Sequence, residues 1–175
     1  MSITTGRGDD GSTDLMFGRR SAKTDVRMEA IGSVDELNCA LGLARIEAGK
    51  GLDETIDRLQ GHLVGLMGEL AVLPGDVTRY EESGHPSIGV DEVAMVEGLV
   101  RNLESGGISF DGWARPGASG NRSGAQLDFA RTVCRRAERR ALALGEGVPN
   151  HSIPLFLNRL SDLLWLLARQ AEGGD

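Results

Sequence analysis

Leu127-Asp128-Phe129-Ala130-Arg131-Thr132-Val133-Cys134-Arg135-Arg136-Ala137-Glu138-Arg139-Arg140-Ala141 is the stretch from which the rest of the chain can be read. Turned at about 100° per residue, Leu127, Ala130, Val133, Cys134, Ala137 and Ala141 fall in one arc. These residues are small, so a second helix can approach closely. Within 127–140, five arginines (131, 135, 136, 139 and 140) stand against two acids, Asp128 and Glu138. Arg131, Arg135 and Arg139 recur every fourth residue and form one stripe, with Glu138 between that stripe and the apolar arc.

The same periodicity recurs on both sides of this segment. Five helices are predicted, at 24–47, 52–73, 90–104, 123–144 and 152–171. Thr24 can cap the first, Pro74-Gly75 stops the second, and Ser152 followed by Pro154 suits the start of the last. In the last helix Phe156, Leu157, Leu160, Leu163, Leu164 and Leu167 form a heavy apolar face. In the first, Ala30, Val34, Leu37, Leu41 and Ala44 face inward and Asp35 lies outside that arc. Glycine, 25 of 175 residues, gathers in the first 18 positions and in 75–89 and 106–124. Between these stretches there are almost no runs of the β-branched and aromatic residues that strands need. The expectation is an all-α, five-helix antiparallel bundle, one domain over 1–175 with a glycine-rich segment at 1–22.

Composition narrows the function. With 19 Lys+Arg against 26 Asp+Glu the net charge is −7, which disfavours nucleic acid as a partner. The apolar stretch 155–168 is interrupted by Asn158, Arg159 and Asp162 and falls short of the roughly 20 residues a membrane span needs. The first residues lack the basic-then-apolar build of a secretory leader, so a cytoplasmic location is expected. Cys39 and Cys134 fit neither a disulfide framework nor a zinc spacing. Glu82-x-x-His85 has the spacing of a di-iron ligand pair, but Gly84 and Pro86 exclude the helix such a site requires. His62 reads as a packing or surface residue, and His151, at a helix start, as a local hydrogen-bonding one.

Two features point to an anion. The start, Thr5-Gly6-Arg7-Gly8-Asp9-Asp10-Gly11-Ser12-Thr13, formally contains G-x-G-x-x-G but has no preceding strand, and Ser12 stands where a Walker lysine would be. Its exposed amides and hydroxyls can wrap an anionic ligand, with Lys23 as a mobile cation. A solubilising terminus is the other reading. The arginine stripe is the second feature. Cations concentrated in an acidic protein repel one another unless something negative faces them. A polyphosphate is the natural counter-charge for guanidinium forks. A carboxylate such as Asp35 could pair with one of them instead, and a solvated face with ion pairs between helices also remains open.

Taken together, five segments are similar to ATP:cob(I)alamin adenosyltransferases of the PduO type. They are Thr5-x-x-Gly8-Asp9-x-Gly11-x-Thr13, Lys23, Glu29-Ala30-x-Gly32-x-Val34-Asp35-Glu36-Leu37-Asn38, residues 130–139, and Leu157-Asn158-Arg159-Leu160-Ser161-Asp162. The resemblance implies a ferritin-like five-helix bundle that forms a homotrimer with active sites between subunits. It implies transfer of the 5′-deoxyadenosyl group of ATP to Co(I) of reduced cobalamin, with Mg²⁺ carried on the phosphates rather than by a protein metal site. Thr5, Gly6, Arg7, Gly8, Thr13 and Asp14 would close over ATP and Lys23 would reach its phosphates. Arg135, Arg136, Ala137, Glu138, Arg139 and Asn158 would complete the nucleotide site from the neighbouring subunit. Asp35 and Arg131 resemble the family's ion pair across the interface, and with Arg135 they make the expected catalytic set. Trp113 stands where the family has Phe beside the corrin, in an apolar pocket that favours loss of cobalt's lower ligand. A cobalamin-dependent mutase would be a natural acceptor of the product. A non-catalytic ATP or corrinoid carrier of the same fold is the alternative. Arg7, Asp10, Trp113 and Asp128 replace the family's usual Thr, Lys, Phe and His.

Overall fold

The computed structural model describes residues 4–108 and 113–173. Among these, six helices follow a short hairpin: β1 (Ser12–Asp14), β2 (Arg20–Ala22), α1 (Val26–Ile46), α2 (Leu52–Leu70), α3 (Val77–Glu82), α4 (Val90–Ser105), α5 (Arg122–Leu142) and α6 (Ser152–Gly173). The five long helices are those expected from periodicity. The hairpin and α3 were not expected. Three-residue strands give too short an alternation to register, and α3 lies inside a glycine- and proline-punctuated stretch. What holds α3 is tertiary: Tyr80 is buried and donates its hydroxyl to the Pro86 carbonyl at 2.7 Å.

Two predicted boundaries move. Asp25, not Thr24, caps α1, its carboxylate accepting from the Arg27 amide at 2.8 Å. An acceptor in extended backbone two residues before a free helical N–H is the better placed cap. The α2 helix ends at Leu70 rather than at 73. Tertiary donors take its last carbonyls first. The Met16 amide bonds Ala71 at 3.1 Å, and the buried Arg27 guanidinium donates to Leu70 and Val72 at 2.7 and 2.9 Å. Unpaired carbonyls at a helix end need such donors.

The helices pack in the order α2, α1, α5, α6, α4. Cross-links fix the antiparallel register. Arg140 meets Glu29 at 3.7 Å at one end of the α1–α5 pair, and Ser123 donates to the Ala44 carbonyl at the other. Every residue of the predicted α5 arc is buried, from Leu127 to Ala141. An ideal Cβ on Gly124 would lie 3.2 Å from the Ala168 carbonyl, so the absent side chain lets α5 and α6 touch. Cys134 donates to the Leu157 carbonyl at 3.2 Å, and burial pushes its thiol far above the usual range. That cysteine is a core residue, inert as a nucleophile.

Glu69 is one of the buried acids, 4% exposed. It accepts from the Ile88 amide at 2.9 Å and from the Asn150 side chain, tying the starts of α4 and α6 to α2. Burial raises its pKa above the ordinary 4.5, and the charges of Glu81 and Glu92 push the same way. The folded state therefore binds this proton more tightly than the unfolded chain does. Stability falls as pH rises from about 4.5 through the folded pKa. Glu69→Gln should gain on the wild type across that window in urea melts at fixed protein concentration. Parallel pH curves for the two proteins would contradict it.

Candidate functional site

The glycine-rich start is built as a loop feeding the hairpin. Gly6 and Gly11 have φ of 69° and 81°. Turns close between Asp9 and Gly6 and between Gly11 and Gly8, both at 3.2 Å. Strand β1 pairs antiparallel with β2, Thr13 opposite Ser21 and Asp14 opposite Arg20. The chain then returns so that the Lys23 amide donates to Gly11 at 2.9 Å. Its ammonium lies over Gly8, where a Cβ would stand 2.9 Å from Nζ. Glycine at position 8 is thus what lets Lys23 fold across the loop.

Arg20, which sequence reasoning missed, gathers the loop. It meets Asp14 at 3.0 Å, Asp10 at 3.3 Å and the Arg7 carbonyl at 3.2 Å, and also bonds Ser12. Arg7 itself pairs with Asp14 at 3.5 Å. The Arg20 hydrogen bond holds the Asp14 carboxyl below its usual range, and the Ser12 hydroxyl and amide do so for Asp10. Only the hairpin register, placing Arg20 opposite Asp14, could have revealed this partner. The hairpin in turn hangs on the α2–α3 end of the bundle. Arg19 grips the buried Asp76 with two hydrogen bonds, 2.7 and 2.9 Å, and Arg79 stacks over Phe17 at 4.2 Å.

On α5 the arginines divide. Arg136 pairs with Glu36 and Arg140 with Glu29, both across to α1. Arg131 pairs with Asp128 at 3.3 Å. Arg139 folds back on the Arg135 carbonyl at 2.9 Å. Arg135 is exposed, and among the described residues no carboxylate lies within ion-pair distance of it. Ala137 is buried in the core beneath this stripe. Glu138 accepts from the Asn158 side chain at 3.2 Å, joining α5 to α6. Arg159, also missed, donates to Asn158 at 2.7 Å and pairs with Glu97 at 3.0 Å. Asn158 thereby has both ends of its amide oriented.

Within one chain Asp35 and Arg131 are not paired. Asp35 is exposed on α1 and lines an open groove of about 400 Å³ with Cys39, Leu43, Phe129 and Arg136. Leu43 and Phe129 are about half exposed there. Trp113, at 91% exposure, stands in the connection leading to α5. The adjoining positions 109–112, which include Phe110, lie outside the described residues. His85 stacks on Tyr80 at 5.2 Å. Among the described residues no group of three His, Cys, Asp or Glu side chains could hold a metal ion, and no helix is long and apolar enough to cross a membrane. The structure thus forms two separate groups, the hairpin loop, whose Arg7 and Arg20 are paired with Asp10 and Asp14 and whose Lys23 lies over Gly8, and the α5–α6 surface around Arg135 and Asn158. Among the described residues, no hydrogen bond or ion pair joins one group to the other.

The chain is similar to known proteins over nearly its whole length. The cobalamin adenosyltransferase family matches residues 3–171. A cobalamin adenosyltransferase of Cupriavidus metallidurans is 36% identical over 99% of this chain and 91% of its own length. The corrinoid adenosyltransferase PduO of Citrobacter freundii is also 36% identical over 100% of this chain, which spans only 51% of that relative. In structure, a variant PduO-type ATP:corrinoid adenosyltransferase from Lactobacillus reuteri, complexed with cobalamin and ATP, superposes with a TM-score of 0.86 at 28% identity. The match covers 98% of this chain and 93% of that one. A second variant from the same organism, complexed with ATP, gives a TM-score of 0.84 at 27% identity, over 97% and 94% of the two chains. With the motifs in order, the bundle reproduced and nearly the whole chain matched, the protein belongs to the cobalamin adenosyltransferase family.

Proposed function

We propose that this protein transfers the 5′-deoxyadenosyl group of ATP to the cobalt of reduced cobalamin, with tripolyphosphate as the leaving group. The observation that carries the reading is Arg135. Its neighbours Arg131, Arg136 and Arg140 are engaged by carboxylates of the same chain, and Arg135 faces solvent without one. In a protein of net charge −7, an uncompensated guanidinium on a cationic stripe is placed for an external anion.

The electron pair of Co(I) forms the bond to C5′, and the C5′–O bond breaks with its electrons leaving on the tripolyphosphate. No proton moves, so no general base is needed. The protein's work is to align the reacting atoms and to place cations where charge accumulates. Thr5, Gly6, Gly8 and Thr13 supply amides and hydroxyls around the phosphates, and Lys23, poised over Gly8, supplies charge. Arg135 and Arg139 supply more, and Arg136 does so on exchanging Glu36 for the phosphates, while Asn158, locked by Glu138 and Arg159, orients the nucleotide. Mg²⁺ bound to the phosphates would share their charge. The nucleotide segment, 1–22, is read as part of one domain with the bundle.

The site is read as lying between subunits of a homotrimer. The separation of the hairpin loop from the α5–α6 surface within one chain supports this, as does the exposed apolar groove of Leu43 and Phe129 beside Asp35. Asp35 would then meet Arg131 across the interface. A cytoplasmic location and a mutase as acceptor of the coenzyme complete the reading.

The test is direct. Protein, MgATP and cobalamin under strict reduction should give the absorption spectrum of adenosylcobalamin, and no Co–C bond despite ATP binding would end the catalytic reading. The exposure of Trp113 and its altered loop favour the carrier as the second reading, which stoichiometric binding without turnover would establish. Trp113→Ala should slow the cobalamin reaction about tenfold or more while leaving ATP affinity within about twofold, since an aromatic wall against one ligand acts on that ligand. Equal losses for both ligands would contradict the split.

A further inference from the structure

We propose that Asp128 is a positioning residue that sets the Arg131 guanidinium for the adenosyl-transfer site, an inference that rests on the functional reading above. Asp128 is 2% exposed. Its Oδ2 accepts from Arg169 Nη2 of α6 at 2.5 Å, and its Oδ1 accepts from Arg131 Nε, one turn along α5, at 3.3 Å. The Arg169 side chain is itself only 9% exposed. It meets Glu172 at 2.8 Å and lies over the Trp165 ring at 5.3 Å. Signs alternate along the chain Glu172, Arg169, Asp128, Arg131, and the Arg131 side chain, at 27%, is its most exposed member.

Taking Asp128 and most of Arg169 and Glu172 out of water is a poor way to stabilise a bundle, because desolvation offsets most of the attraction and apolar residues of similar size do as well. Arg169 Nη1 is buried without a hydrogen-bond partner, which adds to the cost. What this chain supplies, and apolar packing cannot, is direction. Arg131 is held through Nε, at the root of its guanidinium. Among the described residues no carboxylate takes its two terminal nitrogens. A side chain ordered before its partner arrives loses less entropy on engagement. Asp128 acts through Arg131 and touches no ligand.

Turnover and KM should be measured for Asp128→Asn, Arg131→Ala and the double variant. Asp128→Asn should lower kcat about tenfold, and the double variant should fall no further than Arg131→Ala alone. Losses that multiply, or an unchanged kcat, overturn the proposal. Should Asp128→Asn misfold because Arg169 loses one of its two carboxylates, Asp128→Asn combined with Arg169→Met removes that charge, and the same comparison is made in its background. Proton exchange at Arg131 Nε, followed by NMR on substrate-free protein and assigned by its loss in Arg131→Lys, gives a readout independent of activity. Slow exchange in the wild type and fast exchange without the Asp128 carboxylate are expected. Fast exchange in the wild type overturns the proposal even if the enzyme is active. A wild type that makes no adenosylcobalamin overturns the functional reading, and slow Nε exchange would then still support the hold on Arg131.

Discussion

Arg135→Ala should cut kcat/KM for ATP by a factor of about 100–1,000 and leave the melting temperature within about 2 °C of the wild type. The size follows from the chemistry. Tripolyphosphate gathers negative charge as the C5′–O bond breaks, and one preorganised donor aimed at developing charge contributes about 3–4 kcal/mol in comparable sites. At about 1.4 kcal/mol per tenfold, that is two to three orders of magnitude. The null effect on stability follows from the surroundings of Arg135, which is exposed on α5 and paired with no carboxylate among the described residues. Truncating it leaves nothing buried unsatisfied. Arg135→Lys should recover part of the loss, since the charge stays while the planar fork is removed. A melt lowered by ten degrees would show instead that Arg135 braces the bundle.

Arg27→Met should do the opposite, lowering stability by about 3–5 kcal/mol. Arg27 is 5% exposed and donates to the Leu70, Val72 and Gly147 carbonyls at 2.7, 2.9 and 2.7 Å. It joins the start of α1 to the end of α2 and to the turn before α6. Methionine replaces the stem but supplies no donor, so three carbonyls lose their partner, at roughly 1–3 kcal/mol for each one left buried. For a chain of this length each kcal/mol moves the melt by about 2–4 °C, so a drop on the order of 10 °C is expected at fixed protein concentration. ATP affinity should weaken too, because the hairpin hangs on the neighbouring Ala71 carbonyl. A melt unchanged within about 2 °C would mean that water replaces the guanidinium.

The two predictions divide as the sequence and the structure do. Arg135 is legible in the linear order, because helical spacing puts it on one stripe with Arg131 and Arg139. Arg27 is not. It reads as one more charged residue in the first turn of a helix, and its partners lie 43, 45 and 120 positions away. The same holds for Arg169 on Asp128 and for Glu69 on Ile88 and Asn150.

By itself, then, the sequence determined the five long helices, their buried arcs and the faces that carry charge. Each of these follows from a period of 3.6 residues acting on near neighbours. It also determined the turn glycines Gly6 and Gly11, because a positive φ is a local need. Only the tertiary structure decided which arginines are already engaged within the chain. It also decided where α2 ends, and that the first segment folds as a hairpin anchored by Arg19 on Asp76. A guanidinium's partner is whichever acceptor the fold brings within about 3 Å, and no pattern of spacing along one helix specifies that distance.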